Sequence, residues 1–169
     1  MNFILRAFET KDIESLVRYA NNPEIARFMT DQFPHPYTEE KGLAFITFAT
    51  VDSPLHIFAI EVNGEMVGGI GIHPQSDIYS KNAELGYWLA EPFWGKGIVT
   101  EAVKQMVSYG FSSFDITRIF ARPFGNNPAS QRVLEKAGFT LEGIFKNTLF
   151  KNSEYVDELI YAVRKQNVL

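Results

Sequence analysis

The chain contains no cysteine. That excludes a disulfide framework, a thiol nucleophile and a thiolate metal site, and it fits a cytoplasmic protein. Long hydrophobic runs are missing too. Nothing approaches the roughly 20 apolar residues that span a bilayer, so no membrane partner is expected. The histidines His35, His56 and His73 share no ligand spacing, so no metal is expected. Basic charge is in short supply: 16 Lys and Arg stand against 20 Asp and Glu, a formal net charge of -4. Proteins that hold nucleic acid neutralise phosphates with basic patches, so this balance argues against such a partner. The opening run Met1-Asn2-Phe3-Ile4-Leu5-Arg6 meets a charge too early to read as a secretory signal.

What is there suits one globular domain over residues 1–169, with 46% hydrophobic residues and 15 phenylalanines for an aromatic core. Phe3 to Ala7 reads as a first strand. Thr10 is placed to cap a helix from Lys11 to about Ala20, and Asn21-Asn22-Pro23 breaks it and opens a short second helix through Met29. Thr38 caps a further helix with Leu43, Phe45 and Ile46 turned inward. The period then changes. Ile57 to Val62 and Met66 to Ile72 read as strands joined by the Asn63-Gly64 hairpin turn. After a loop from Pro74 to Asn82 comes the strand Ala83 to Ala90, with Glu84, Gly86, Trp88 and Ala90 on one face.

The pattern is clearest in the next helix, where Val99, Ala102, Val103, Met106, Val107, Gly110, Phe111 and Phe114 recur at helical steps. Ile116 to Phe124 reads as a strand. Asn127 and Pro128 form an N-cap and first-turn pair, and Gly138 closes that helix. Strands Phe139 to Phe150 and Tyr155 to Val163 meet at the turn Lys151-Asn152-Ser153-Glu154. The sum is a mixed sheet with packed helices, closed by an antiparallel pair.

Between the strand that ends at Ala90 and the long helix lies Trp94-Gly95-Lys96-Gly97-Ile98-Val99-Thr100. Two glycines at a helix start bare several backbone N–H groups that have no intrahelical partner, and the helix dipole adds positive charge there. That suits a phosphate or pyrophosphate. It equally suits a tight strand-to-helix turn that binds nothing. A dinucleotide fingerprint needs a third glycine where Thr100 stands, and a P-loop needs a wider glycine spacing.

Two segments together carry a resemblance. Asn127-Pro128-Ala129-Ser130-Gln131-Arg132-Val133-Leu134-Glu135-Lys136-Ala137-Gly138-Phe139 is similar to the helix-to-strand signature of the GNAT acetyltransferases, and Trp94 to Ala102 resembles their coenzyme A pyrophosphate loop. Ala83-Glu84-Leu85-Gly86-Tyr87-Trp88-Leu89 resembles the strand before that loop. The tail, with Gly143 to Asn147 and Asp157 to Tyr161, resembles the branch that includes the ribosomal-protein-alanine N-acetyltransferases. The fold this implies is α/β (α+β), with a mixed, mostly antiparallel central sheet of about seven strands and helices on both faces. The implied activity is transfer of an acetyl group from acetyl-CoA to an amine by direct attack in a ternary complex. The acceptor expected is a protein or peptide N-terminal amine. A small-molecule amine (polyamine, aminoglycoside or amino acid) and a non-catalytic acyl-CoA-binding module are the alternatives. A monomer or a homodimer would serve.

The resemblance also implies residue roles. Gly95, Lys96, Gly97, Ile98, Val99 and Thr100 would surround the pyrophosphate, chiefly through backbone N–H groups. Trp88, Leu89 and Ala90 would bond the pantetheine arm like an added strand, with a backbone N–H near Leu89 polarising the thioester oxygen. Asn127 is a helix cap and, on the same resemblance, a contact to the arm. Ser130 is a proton donor to the leaving thiolate, or a small packed residue. Glu84 is a general base, directly or through water, or the partner of a neighbouring cation. Two departures stand out. Leu134 occupies the position where many members carry a tyrosine acid, and Pro92 replaces the usual Gln or Arg before the first glycine.

Overall fold

The computed structural model describes residues 1–167. Its strands are β1 (Ile4–Arg6), β2 (Ile57–Val62), β3 (Glu65–Pro74), β4 (Asn82–Leu89), β5 (Arg118–Ala121), β6 (Thr140–Lys151) and β7 (Glu154–Arg164). Its helices are α1 (Ile13–Ala20), α2 (Pro23–Ala26), α3 (Glu39–Ala49), α4 (Ile98–Ser113) and α5 (Pro128–Lys136). The strands form one seven-stranded sheet in the order β1-β2-β3-β4-β5-β7-β6. Pairing is antiparallel for β1 with β2, β2 with β3, β5 with β7 and β6 with β7. β4 and β5 run parallel, through Asn82–Glu84 against Arg118–Phe120. The expected mixed, mostly antiparallel sheet of seven strands is what folds.

The chain divides into two compact units, Met1–Gly71 with Tyr87–Ala102, and Ile72–Gly86 with the residues from Val103 onward. In the first, Phe8, Leu16, Ala20, Tyr37, Ile46 and Trp88 belong to one buried cluster. In the second, Gly110 of α4 lies flush on Ile72 and Ile119, so that a larger residue would drive into both side chains. Met106, Ile119 and Leu134 are fully buried there.

Three local expectations are corrected. Thr10 does not cap α1. It opens a 3-10 turn, Thr10–Asp12, in which the Asp12 carboxylate accepts the Glu9 N–H at 2.9 Å. Asp12 is fixed because Arg6 grips both its oxygens at 2.7 Å, with Glu61 on the same guanidinium. Leu43 points outward at 41% exposure. Ile46 is buried and Phe45 packs on the core as expected; the buried stripe of α3 is completed by Gly42 and Ala49, and a Cβ at Gly42 would stand 2.5 Å from Ile13 Cδ1. The strand expected over Ile116 to Phe124 keeps a ladder only at Arg118–Ala121. Pro123 has no N–H to continue it, although its carbonyl still accepts from Leu159 and Phe124 bridges Glu158.

Elsewhere the expected punctuation is in place. Thr38 Oγ1 accepts the Lys41 N–H to start α3, and Asn63 and Gly64 take the left-handed conformations of the β2–β3 turn.

Asp12 is 3% exposed, and its carboxyl feels opposing pressures. Burial pushes it up, but the Arg6 fork, the Glu9 N–H and the Lys11 charge outweigh that and hold it below the usual carboxylate range. Because the folded form ionises more easily than the unfolded one, this contribution is present above about pH 4 and is lost as the pH falls through the folded value. Asp12→Ala should cost about 3 kcal/mol in urea unfolding at neutral pH, because it removes the carboxylate that takes two of the nitrogens of a largely buried arginine and leaves only Glu61 on the third. The deficit should shrink when the same comparison is made at progressively acid pH.

Candidate functional site

The first unit holds the end of β4 and the start of α4. At that end the Ala90 N–H donates to the Val67 carbonyl at 2.8 Å, which sets Ala90 opposite Val67 and Leu89 opposite Gly68. The approach is close. A Cβ on Gly68 would stand 2.5 Å from the Trp88 carbonyl oxygen and 3.1 Å from Leu89 Cα. Trp88 itself is 8% exposed, with its ring edge toward Phe33 at 5.9 Å and its indole Nε1 above Gly69. Its side chain is core, so only its backbone is available for the expected ligand role.

A 3-10 turn, Glu91–Phe93, follows, with Pro92 in its first residues, where a missing N–H costs little. The departure at Pro92 is therefore accommodated by the turn. Trp94 then folds its indole Nε1 back onto the Leu89 carbonyl at 2.7 Å. Gly95 and Gly97 sit at φ 73° and 76°, and a Cβ at either would meet nothing within 4 Å. The glycines are thus needed for left-handed backbone rather than for room.

The first bond of α4 here runs from the Glu101 N–H to the Gly97 carbonyl at 3.2 Å. The N–H groups of Ile98, Val99 and Thr100 precede it at the positive end of a 16-residue helix. That is the donor set a pyrophosphate fits. Side chains add little. Ile98 is 2% exposed and belongs to the core, Val99 and Thr100 are half-buried, and the Lys96 ammonium lies over the Phe93 ring at 5.3 Å. In the same unit an open cavity of about 620 Å³ is lined by residues of the α1–α2 corner together with Glu91 and Pro92, and Asn22 Nδ2 donates to Glu91 Oε2 across it at 2.8 Å.

The second unit holds Glu84, Asn127 and Ser130. Glu84 is gripped by a fork: Arg122 Nε to Oε1 at 3.0 Å and Nη2 to Oε2 at 2.9 Å. Glu158 stands 3.7 Å from the remaining Arg122 nitrogen. The Glu84 bond, the opposing burial and the two carboxylate charges leave the Arg122 guanidinium raised above its usual range. Of the two readings of Glu84, the ion pair is the one on display, and both carboxylate oxygens are engaged.

Asn127 caps α5 with its Oδ1 on the Ser130 N–H at 3.2 Å, which leaves the carboxamide nitrogen as its donor end. Ser130 is half-buried, and Leu134, one turn on, is fully buried. Arg122 and the Trp94 indole are absent from the sequence-based expectations. Arg122 becomes visible only through the β4–β5 register, and Trp94 only through the fold of its turn. Among the described residues, no group of three His, Cys, Asp or Glu is arranged to hold a metal ion, and no helix is long and apolar enough to cross a membrane.

With this geometry in hand, likeness to known proteins is informative. Residues 2–140 match the family model described as acetyltransferase (GNAT) domain. The chain is 29% identical to an uncharacterised N-acetyltransferase, YoaA, of Bacillus subtilis over 178 aligned positions, covering 96% of this chain and 93% of that one. It is 33% identical to the ribosomal-protein-serine acetyltransferase of Escherichia coli over 106 positions, 63% of this chain and 59% of the other. It is 25% identical to the spermidine N(1)-acetyltransferase of Escherichia coli over 157 positions, 89% and 80% of the two chains. Among solved structures, an acetyltransferase from Bacillus anthracis superposes with a TM-score of 0.83 at 27% identity, covering 98% and 96%. The microcin C7 self-immunity acetyltransferase MccE, in complex with acetyl-CoA and AMP, gives 0.81 at 27% identity, covering 96% and 92%.

Gly97→Val should leave the fold intact but force a β-branched residue into left-handed backbone, and so re-aim the N–H groups behind it. Calorimetric affinity for coenzyme A should fall by about tenfold or more, with a thermal midpoint near wild type. Normal binding by the folded variant would remove the loop from the ligand.

Proposed function

The chain belongs to the GNAT acetyltransferase family, and from that premise we propose that it acetylates the α-amino group of a protein or peptide. It is an acyltransferase that uses acetyl-CoA and acts on an amine. When bound, acetyl-CoA supplies an activated acyl carbon joined to a thiolate leaving group. The chain's own groups do the rest. The N–H groups of Ile98, Val99 and Thr100, with those of the Gly95–Gly97 turn, receive the pyrophosphate. Of the Trp88–Ala90 segment, Leu89 is the residue that would receive the pantetheine arm and offer its N–H to the thioester oxygen, since Ala90 is committed to Val67 and Phe93 and the Trp88 carbonyl faces Gly68. Asn127 orients the arm through its carboxamide nitrogen. Ser130, half-buried in the first turn of α5, would be the proton donor to the sulfur. The reading takes 1–169 as one functional domain working in the cytoplasm.

The observation that carries the acceptor choice is the Glu84–Arg122 fork. Both oxygens of this carboxylate are bonded to the guanidinium, so it is committed to the ion pair rather than aimed at a substrate. An α-amine, with a pKa of roughly 8, presents ample neutral nitrogen near neutral pH, whereas a lysine amine near 10.4 does not. Glu84 then serves to hold Arg122 and the strand in place, with water carrying the proton away from the amine. Similarity to a ribosomal-protein-serine acetyltransferase points the same way. A small polyamine is the second reading, favoured by the likeness to a spermidine N(1)-acetyltransferase.

Thiol release from acetyl-CoA decides between them. Peptides with a free N-terminal serine or alanine should react, and the same peptides blocked at the N-terminus but carrying lysine should not. The rate should climb with pH through the α-amine range. In the same assay Ser130→Ala should lower kcat by about a hundredfold. Turnover with spermidine alone would overturn the peptide reading, and binding of acetyl-CoA with no turnover on any amine would leave a non-catalytic module.

A further inference from the structure

Trp94 is 45% exposed, yet its single polar atom is committed inward. An indole has one donor and no acceptor. That donor lies 2.7 Å from the Leu89 carbonyl, at the short end of the N–H to oxygen range.

The orientation of Leu89 gives this bond a consequence. The Ala90 N–H points toward β3, onto the Val67 carbonyl. Backbone groups of successive strand residues point to opposite sides, so the N–H and C=O of Leu89 both point away from β3. The ladder that β4 makes with β5 covers only Asn82–Glu84. On its open side, Leu89 would therefore offer one donor and one acceptor to whatever lies along the strand. Trp94 takes the acceptor, and the N–H remains.

We infer that Trp94 is a positioning residue that makes Leu89 a donor-only position and so fixes the register of the acyl-bearing arm. The inference rests on the reading that acetyl-CoA lies along β4. An amide of the arm carries both a donor and an acceptor and would bond an uncapped residue in either of two registers. A thioester oxygen only accepts, so a donor-only residue is matched to it. The same indole bond locks the Leu89–Ala90 peptide from one end while the Val67 bond locks it from the other. On the neighbouring peptide, Gly68 lets β3 press directly against the Trp88 carbonyl, leaving the plane that carries the Leu89 N–H no room to rotate. Trp94 thus acts through Leu89 and does not itself touch the reacting atoms.

The test uses Trp94→Phe, which keeps an aromatic ring and loses the donor, with acetyl-CoA labelled with carbon-13 at the acetyl carbonyl as the probe. The wild-type protein should shift the bound carbonyl resonance downfield, as a hydrogen-bonded carbonyl does. The variant should lose most of that shift while its affinity for acetyl-CoA stays within about fivefold. An unchanged shift in the variant, or no shift in the wild type, overturns the inference. So does a large loss of affinity with the shift intact, which would mean Trp94 merely holds the loop. A wild-type protein that does not bind acetyl-CoA would fail earlier, and would remove the functional reading itself.

A second measurement needs no variant. The chain has only two tryptophans, so nitrogen-15 indole signals separate Trp94 from Trp88. The Trp94 indole N–H should exchange slowly despite its exposure, and exchange at the rate of a free surface indole would contradict the assignment.

Discussion

The bond from the Ala90 N–H to the Val67 carbonyl decides what the polar groups around it are free to do. It fixes which side of β4 faces β3, and therefore which side Leu89 turns outward. It also places the 3-10 turn Glu91–Phe93 directly behind the strand, with the Phe93 N–H on the Ala90 carbonyl at 3.0 Å. Trp94 can reach back to Leu89 only because that turn is tight. Gly95 and Gly97 then reverse the backbone so that α4 starts with its unpartnered N–H groups forward. Close packing at Gly68 keeps the arrangement rigid, since any side chain there would collide with backbone rather than with a flexible tip. These groups are main chain, so Pro92 in the first residues of the 3-10 turn leaves their positions undisturbed.

The two units carry different kinds of group. In the first, backbone donors take positions that follow from strand pairing and helix geometry. In the second, side chains have local partners that narrow what they can do. Glu84 is gripped at both oxygens by Arg122, which commits it to the ion pair. Leu134, where the family resemblance leads one to expect a tyrosine, is fully buried. Tyr161 is buried too, its hydroxyl donates to Glu135 at 2.9 Å, and burial followed by the Glu135 contact pushes its phenol up. Ser130 lies in the first turn of α5 and is half-buried.

Much of this was legible in the chain because it depends on neighbours in sequence. Asn127-Pro128 and Gly138 mark the ends of α5 through local backbone chemistry, and they bound the observed helix. The apolar steps of α4 predict its buried face, with Ala102, Val103, Met106, Val107 and Phe111 all inside. Gly95 and Gly97 signal the turn, although the reason proves to be positive φ rather than lack of bulk. What escaped depends on partners distant in sequence. Thr10 looked like a cap because nothing local shows that Arg6 holds Asp12. Leu43 looked inward because the stripe of α3 is set by Ile13 pressing on Gly42. The Arg122 grip on Glu84 spans 38 residues and needs the β4–β5 register to be seen. The Trp94 indole bond spans five, but it needs the exact fold of a turn that sequence marks only as a turn.

The central claim is that coenzyme A is held by the main chain at the start of α4. Amide hydrogen exchange, followed residue by residue with and without coenzyme A, tests it most directly. The N–H groups of Ile98, Val99 and Thr100 have no intrahelical partner and should exchange fast in the free protein. Saturating coenzyme A should slow them strongly, together with the amides of the Gly95–Gly97 turn. Binding that protects other segments while these amides remain fast would contradict the placement of the coenzyme.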